Sequence, residues 1–298
     1  TLRRMTCGIR RHEPPGSPPF RAAGAGRVMP EGDTVYLAAK RLDALLSGQR
    51  IDRSDVRLPS LATIDFAGIE CLGVRPVGKH LLFRFSNGTS LHTHFRMDGS
   101  WHIYRAGQRW KGGPMHAVRL VLYSGDAVAV GYRLHDVLVL PTTREGDVIG
   151  HLGPDILDDS WDAGRATDNV RACAGRSIGD VLVDQRVVAG IGNIYRCETL
   201  FLAGITPFTP VEDISDDEVA STLATARTLM MRNRDRSSQA TTGDERDAHF
   251  VYGKRRSACR RCGTPIRSQH GVGQQRPNEQ PIFWCPCCQV GAQTSSGP

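Results

Sequence analysis

Residues 185–198 read QRVVAGIGNIYRCE. A short apolar run, Val187-Val188-Ala189, enters Gly190-Ile191-Gly192, and a helix opens at Asn193. Glycines at a helix entrance let another group approach the backbone closely. The first N–H groups of the helix have no partners within it, and the helix dipole makes that end attractive to an anion. Gly192 and Asn193 are therefore candidate phosphate contacts, Asn193 with a side-chain donor as well. A lone Gly-x-Gly is a weak signal, because an ordinary helix–helix turn uses the same residues.

Working outward, the turn lies in a helical stretch. Residues 161–173, 178–183, 193–202 and 216–233 carry apolar residues at helical spacing, and Ser215 is placed to cap the last of them. The pattern before Pro154 is different. Residues 69–74, 80–85, 90–94, 101–104, 118–123 and 128–132 are short β-rich runs, and Asn87-Gly88 predicts a tight hairpin. Six or more strands in about a hundred residues suggest a sandwich or barrel. A helix over 34–46 precedes them, with Asp33 as its expected N-cap and Gly48 as its stop. His92 and His94 share one strand face, where packing or a phosphate contact is expected rather than a metal. The fold class is thus α+β with more than one domain.

The nine cysteines divide unevenly. Cys259-x-x-Cys262 and Cys285-x-x-Cys288 are two tight-turn pairs, which together can set four thiolates tetrahedrally around one zinc ion. Cys287 is a surplus candidate, and the two-residue spacing favours Cys288. Such a site staples a small hairpin and does no chemistry. Lys254, Arg255, Arg256, Arg260 and Arg261 flank it and suit a phosphate backbone.

The formal net charge is +7, which points weakly to an anionic partner. The chain has no run of about 18 apolar residues, so no membrane-spanning helix is expected. Residues 1–28 are rich in Pro, Gly and Arg, lack an apolar signal segment and show no periodicity. They read as a disordered extension or as sequence upstream of the true start, and the small polar tail from 291 to 298 reads as frayed.

Several motifs occur in order: Pro30-Glu31-Gly32-Asp33, Gly78-Lys79-His80, residues 94–99 (HFRMDG), Asp184-Gln185 with Gly190-Ile191-Gly192-Asn193-Ile194-Tyr195 and Glu198, and the cysteine hairpin ending Cys288-Gln289. From about residue 29 to 289 the chain closely resembles the formamidopyrimidine-DNA glycosylase / endonuclease VIII family of DNA repair enzymes. Pro-Glu-Gly looks like the endonuclease VIII branch, of an actinobacterial type. The resemblance implies an N-terminal β-sandwich with flanking helices over 29–150. A helical domain with a helix–two-turn–helix motif follows over 151–253, and a zinc-finger hairpin over 254–290. It also implies a monomeric, cytoplasmic, nucleoid-associated bacterial protein, with damaged double- or single-stranded DNA as its partner.

The chemistry implied is base excision followed by strand cleavage. Pro30, as a free N-terminal secondary amine, attacks C1′ of a flipped nucleotide and the base leaves. The resulting iminium ion is an electron sink for elimination of the 3′ and then the 5′ phosphate. Glu31 is the implied proton shuttle at the sugar ring oxygen. Lys79 holds a phosphate, assists proton transfer or keeps the Pro30 amine neutral. Met97 fills the hole left by the flipped base, with Arg96 beside it and Arg133 on a second loop.

Two departures stand out. Residues precede Pro30 in this sequence, and an amide nitrogen cannot act as the nucleophile. The family's finger arginine, five residues before the third cysteine, is here Gln280, with Arg276 the nearest replacement. The rival expectation is a non-catalytic binding protein for damaged or abasic DNA on the same fold.

Overall fold

The computed structural model describes residues 30–269 and 280–290. The expected N-terminal extension, Met29, Arg276 and the tail from 291 lie outside them.

Helix α1 (Gly32–Leu46) opens the described chain. It starts two residues earlier than the sequence suggests, because the Val35 N–H donates to Glu31 O. Glu31, not Asp33, occupies the extended N-cap position. Asp33 lies in the first turn with a buried carboxylate, so the expected cap is corrected.

Strands β1 (Gln49–Arg50), β3 (Glu70–Val77), β4 (His80–Phe85), β5 (Thr89–His94) and β9 (Asp136–Pro141) form a five-stranded antiparallel sheet in the order β1-β3-β4-β5-β9. Strands β2 (Arg53–Val56), β7 (Val118–Ser124), β8 (Ala127–Tyr132) and β6 (Ser100–Arg105) form a second antiparallel sheet in that order. Leu81, Phe83, Phe85 and Leu91 from the first sheet share one core with Trp101, Leu120, Leu122 and Ala129 from the second. Val35, Ala39, Leu42 and Leu46 of α1 close that core at helical spacing. Burying each such side chain contributes about 1.5–3 kcal/mol. On the outer face of the first sheet, Glu145 accepts from Arg84, Arg75 and Ser90, fixing the segment after β9 to β3, β4 and β5.

Strands β1, β2 and β9 are not among the expected runs. β1 and β2 are short and carry little apolar patterning, and β9 ends in Pro141.

The second half contains α2 (Gly146–Ile149), α3 (Ala163–Arg171), α4 (Ile178–Val181), α5 (Asn193–Ala203) and α6 (Asp216–Asn233). α3 is shorter than expected because the Asp162 side chain accepts from the Arg165 N–H and sets its start past Trp161. α6 matches the expected span, and Ser215 with Glu218 forms a full capping box. Ile156, Val170, Val181, Ile191, Tyr195, Leu223 and Met230 make a second core.

Strands β10 (Arg267–Gln269) and β11 (Ile282–Trp284) pair as a hairpin packed on α5 through Phe201, Val251, Ile266 and Ile282. Glu198 ties this region to α5. Its buried carboxylate accepts from the N–H groups of Phe250, Val251 and Tyr252 at 2.7–2.8 Å. No helix among the described residues is long and apolar enough to cross a membrane.

Candidate active site

The two halves meet where the start of α1 touches the turn before α5. The Gly32 N–H donates to Gly190 O at 2.9 Å, and a Cβ on Gly32 would sit 2.9 Å from Gly190 Cα. Only a residue without a side chain permits that approach.

The approach delivers Glu31 to the helix end. Glu31 Oε1 accepts from the Ile194 N–H at 2.6 Å, and Oε2 accepts from the Gly192 N–H at 2.9 Å and the Tyr195 N–H at 3.4 Å. The anion at this helix end is thus the chain's own carboxylate. The phosphate contact expected of Gly192 is corrected, since its N–H is committed to Glu31. Asn193 is committed as well. Its Oδ1 accepts from Arg196, and its Nδ2 donates to Pro281 O at 3.0 Å and Gln280 Oε1 at 3.2 Å.

Glu31 is 1% exposed. Burial pushes its carboxyl up to about 7, against the lowering effect of Lys79, with the Asp33 charge raising it further. The backbone N–H groups pull the other way and do not win. A carboxyl that titrates near neutrality can both give and take a proton at physiological pH.

Lys79 stands in the turn between β3 and β4, where Val77 pairs with His80. Gly78 takes the left-handed conformation this turn needs, with φ +57°, and a Cβ there would meet Ala189 Cβ at 2.9 Å. The Gly78 N–H donates to Asp155 Oδ2 at 2.6 Å, so an acid from the second half fixes the turn. Burial lowers the Lys79 ammonium from its ordinary range, and the Glu31 charge opposes this. Lys79 makes no hydrogen bond or ion pair with another described residue. Pro30 is half-buried and immediately precedes Glu31.

Two loops of the first half flank the site, and each carries an arginine in the left-handed region: Arg96 at φ 53° and Arg133 at φ 46°. Arg96 pairs with Asp136, while Arg133 donates to Asp98 O and His135 lies 2.7 Å from Asp98 Oδ1. Asp98 therefore links the two loops. Met97 is half-buried, and Gln280 Nε2 lies 3.4 Å from its sulfur. Gln280, read as a missing arginine, in fact bridges Met97 and Asn193.

The structure brings Cys259, Cys262, Cys285 and Cys288 together, with all four sulfurs within 4.8 Å of one another. The Cys259–Cys288 and Cys262–Cys285 separations are 3.9 and 3.5 Å. Tetrahedral zinc with Zn–S bonds of about 2.3 Å requires sulfurs about 3.8 Å apart, so the set fits that ion. Cys287 is exposed and outside the cluster.

Asp33 and Tyr195 stand in motifs of the resemblance, but the local sequence gives Asp33 only a capping role and Tyr195 none, and Asp155 and Gln239 carry no local pattern that marks them.

The sheet-rich first half and the helical second half each match a family model. The formamidopyrimidine-DNA glycosylase N-terminal domain matches residues 29–134, and the formamidopyrimidine-DNA glycosylase H2TH domain matches residues 152–242. The chain belongs to the formamidopyrimidine-DNA glycosylase / endonuclease VIII family. It has the family's two-domain α+β architecture, a C-terminal H2TH domain and a cysteine cluster. Among its relatives, probable endonuclease 8 2 of Streptomyces coelicolor is 47% identical over 270 residues, spanning 90% of this chain and 97% of the relative. The DNA-(apurinic or apyrimidinic site) lyase Nei2 of Mycolicibacterium smegmatis is 38% identical, spanning 89% of this chain and all of the relative. In fold, the chain is similar to Lactococcus lactis formamidopyrimidine-DNA glycosylase bound to DNA containing an abasic site. The TM-score is 0.73 at 21% identity, covering 87% of this chain and 99% of that one.

Proposed function

We propose that the chain is a bifunctional DNA glycosylase and abasic-site lyase of base excision repair. It excises oxidised bases, with pyrimidines favoured, through Pro30 as a free N-terminal amine. The observation that carries this reading is Glu31, buried on the α5 N-terminus next to Pro30 and able to titrate near neutrality.

The steps follow from the residues. Pro30 forms a bond to C1′ as the bond from C1′ to the base breaks, and the departing base takes up the proton that the amine gives up. Protonated Glu31 gives its proton to the ring oxygen, and the ring opens to an iminium ion. A secondary amine has no further N–H to lose, so the iminium remains charged and acidifies the neighbouring carbon. Loss of that proton expels the 3′ phosphate, and a second elimination expels the 5′ phosphate. Lys79, a cation with no hydrogen-bond or ion-pair partner among the described residues, is suited to a phosphate beside the lesion and disfavours protonation of Pro30.

Met97, Arg96 and Arg133 occupy the paired loops that enter the gap left by the flipped nucleotide. Asn193 reaches DNA only after releasing Gln280. Arg276 supplies the contact that Gln280 does not. The two sheets form a β-sandwich catalytic domain over 29–150, followed by the helical domain to 253 and a zinc finger to 290. One zinc ion held by Cys259, Cys262, Cys285 and Cys288 supports that finger, and the protein acts as a cytoplasmic monomer.

The test is a borohydride trap. Protein beginning at Pro30, its start confirmed by intact mass, is mixed with duplexes carrying an abasic site or an oxidised pyrimidine. A covalent protein–DNA adduct that is absent for protein beginning at Thr1 supports amine catalysis. Lesion binding with no adduct from zinc-loaded protein moves the reading to a damaged-DNA binding protein.

A further inference from the structure

Asp33 is the one buried carboxylate beside Glu31 that the mechanism above does not use. It is 2% exposed, two residues along the first turn of α1. Every partner it has is a donor. Tyr195 OH donates to Oδ2 at 2.5 Å, while Gln239 Nε2 and the Thr34 N–H each donate to Oδ1 at 2.8 Å. These donors favour the ionised form and oppose burial, which raises the Asp33 carboxyl from its ordinary value. No cation bonds to it: among the described residues its salt-bridge shell is empty and its charge is held by neutral dipoles alone.

The same residue, Tyr195, serves both acids. Its backbone N–H faces Glu31 Oε2 and its phenol holds Asp33. The two carboxylates are therefore fixed around one residue of α5, in a place closed to water.

We propose that Asp33 is a positioning residue for base excision: its fixed buried charge beside Glu31 keeps Glu31 in the proton-donating form at neutral pH. This rests on the reading of Glu31 as the proton donor. Burial raises the Glu31 carboxyl against Lys79 and the backbone N–H groups, and the Asp33 charge adds to that rise; an ionised Glu31 has no proton to give. The Asp33 charge is one of the influences that raise the Glu31 carboxyl, behind burial itself.

The other titratable groups around Glu31 are Lys79 from the β3–β4 turn, Tyr195, Arg196 and Cys197 from α5, and Tyr252 from the segment before the hairpin. A free Pro30 amine adds one more. Burial raises Tyr195, Cys197 and Tyr252 from their ordinary values, so they stay neutral at pH 7. Lys79 favours ionised Glu31, and Asp33 is the charge that opposes it.

The experiment is the pH profile of base excision by Asp33→Asn, from pH 5 to 9, beside wild-type protein beginning at Pro30. Removing a negative neighbour makes Glu31 a stronger acid, so its donating form disappears at lower pH. The alkaline limb is expected to move down by about one pH unit, a loss of about tenfold in rate on that limb. If Asp33→Asn does not fold, Tyr195→Phe removes a donor that holds the Asp33 charge and shifts the limb in the same direction. An unmoved limb, or a loss equal at every pH, overturns the proposal and makes Asp33 structural. Absence of a borohydride adduct from the wild-type protein overturns the underlying reading, and the Asp33 role falls with it. An adduct with an unmoved limb overturns the Asp33 role alone.

Discussion

A Cβ on Gly192 would lie 2.4 Å from the carboxyl carbon of Glu31. Glu31 can lie across the start of α5 only because residue 192 has no side chain. Gly192→Ala has no backbone reason to be strained, since φ is −126°. Its methyl must displace the carboxylate from the Ile194 and Gly192 N–H groups. Base excision should fall at least about a hundredfold, the scale of losing a positioned acid–base group. Glu31→Gln should likewise abolish excision while sparing DNA binding. Single-turnover excision, with lesion binding measured in parallel, checks both. Full excision by Glu31→Gln would refute the proton role.

Asp155 should control where Lys79 sits. Its Oδ2 holds the Gly78 N–H and its Oδ1 holds the Leu157 N–H, so one carboxylate joins the lysine turn to the second half. Asp155→Ala leaves a buried N–H without a partner, which costs about 1–3 kcal/mol. Urea unfolding should show that loss. Borohydride trapping should also slow, because the turn gains freedom. Trapping at the wild-type rate in a measurably destabilised variant would separate the turn from the chemistry.

The sequence showed the chemistry-bearing positions better than their partners. Strand runs at 80–85, 118–123 and 128–132, the helix at 216–233 and the cysteine pairs all have strong local patterns, and the structure places them as expected. Glu31 was legible as a candidate proton carrier, but its seat on α5 was not. Gly192 and Glu31 are 161 residues apart, and the anion-binding property of the turn gave no clue that the anion was internal. Asp33 misled for a related reason: a short acid before an apolar helix is a good cap by local rules, and only the distant Tyr195 and Gln239 give it another use. β2 was missed because a half-buried edge strand of sequence RSDV has no apolar alternation to read.

The cysteines give a contrast within one turn. Cys288 belongs to the four-sulfur cluster, and the neighbouring Cys287 is exposed outside it. Cys288→Ser should lose bound zinc and loosen the β10–β11 hairpin, since structural zinc contributes folding energy directly. Cys287→Ser should retain one zinc per chain. Metal analysis of both purified variants decides, and zinc loss in Cys287→Ser would reassign the ligand set.

Acid should destabilise the protein through the outer face of the first sheet. His80 Nδ1 lies 2.8 Å from His92 Nε2, and the His80 ring also packs on His94 and His151. Burial lowers all three strand histidines, His80 to about 3 and His94 to about 4. Asp136 favours their charged forms, while Arg96 and Lys79 disfavour that of His94. The sign follows from linkage. In the unfolded chain these histidines protonate below about pH 6.5, while in the folded chain His80 stays neutral until about pH 3 and His94 until about pH 4, and burial lowers His92 as well. The unfolded state therefore binds more protons across that window, and stability falls as pH falls from about 6.5. His80 and His94 can each remove up to about 2 kcal/mol by pH 5. Replacing the hydrogen-bonded pair together, His80→Leu with His92→Leu, removes two of these titrations. The urea midpoint should then change less between pH 7.5 and 5 than in the wild-type protein. An equal change in both proteins would place the acid sensitivity elsewhere.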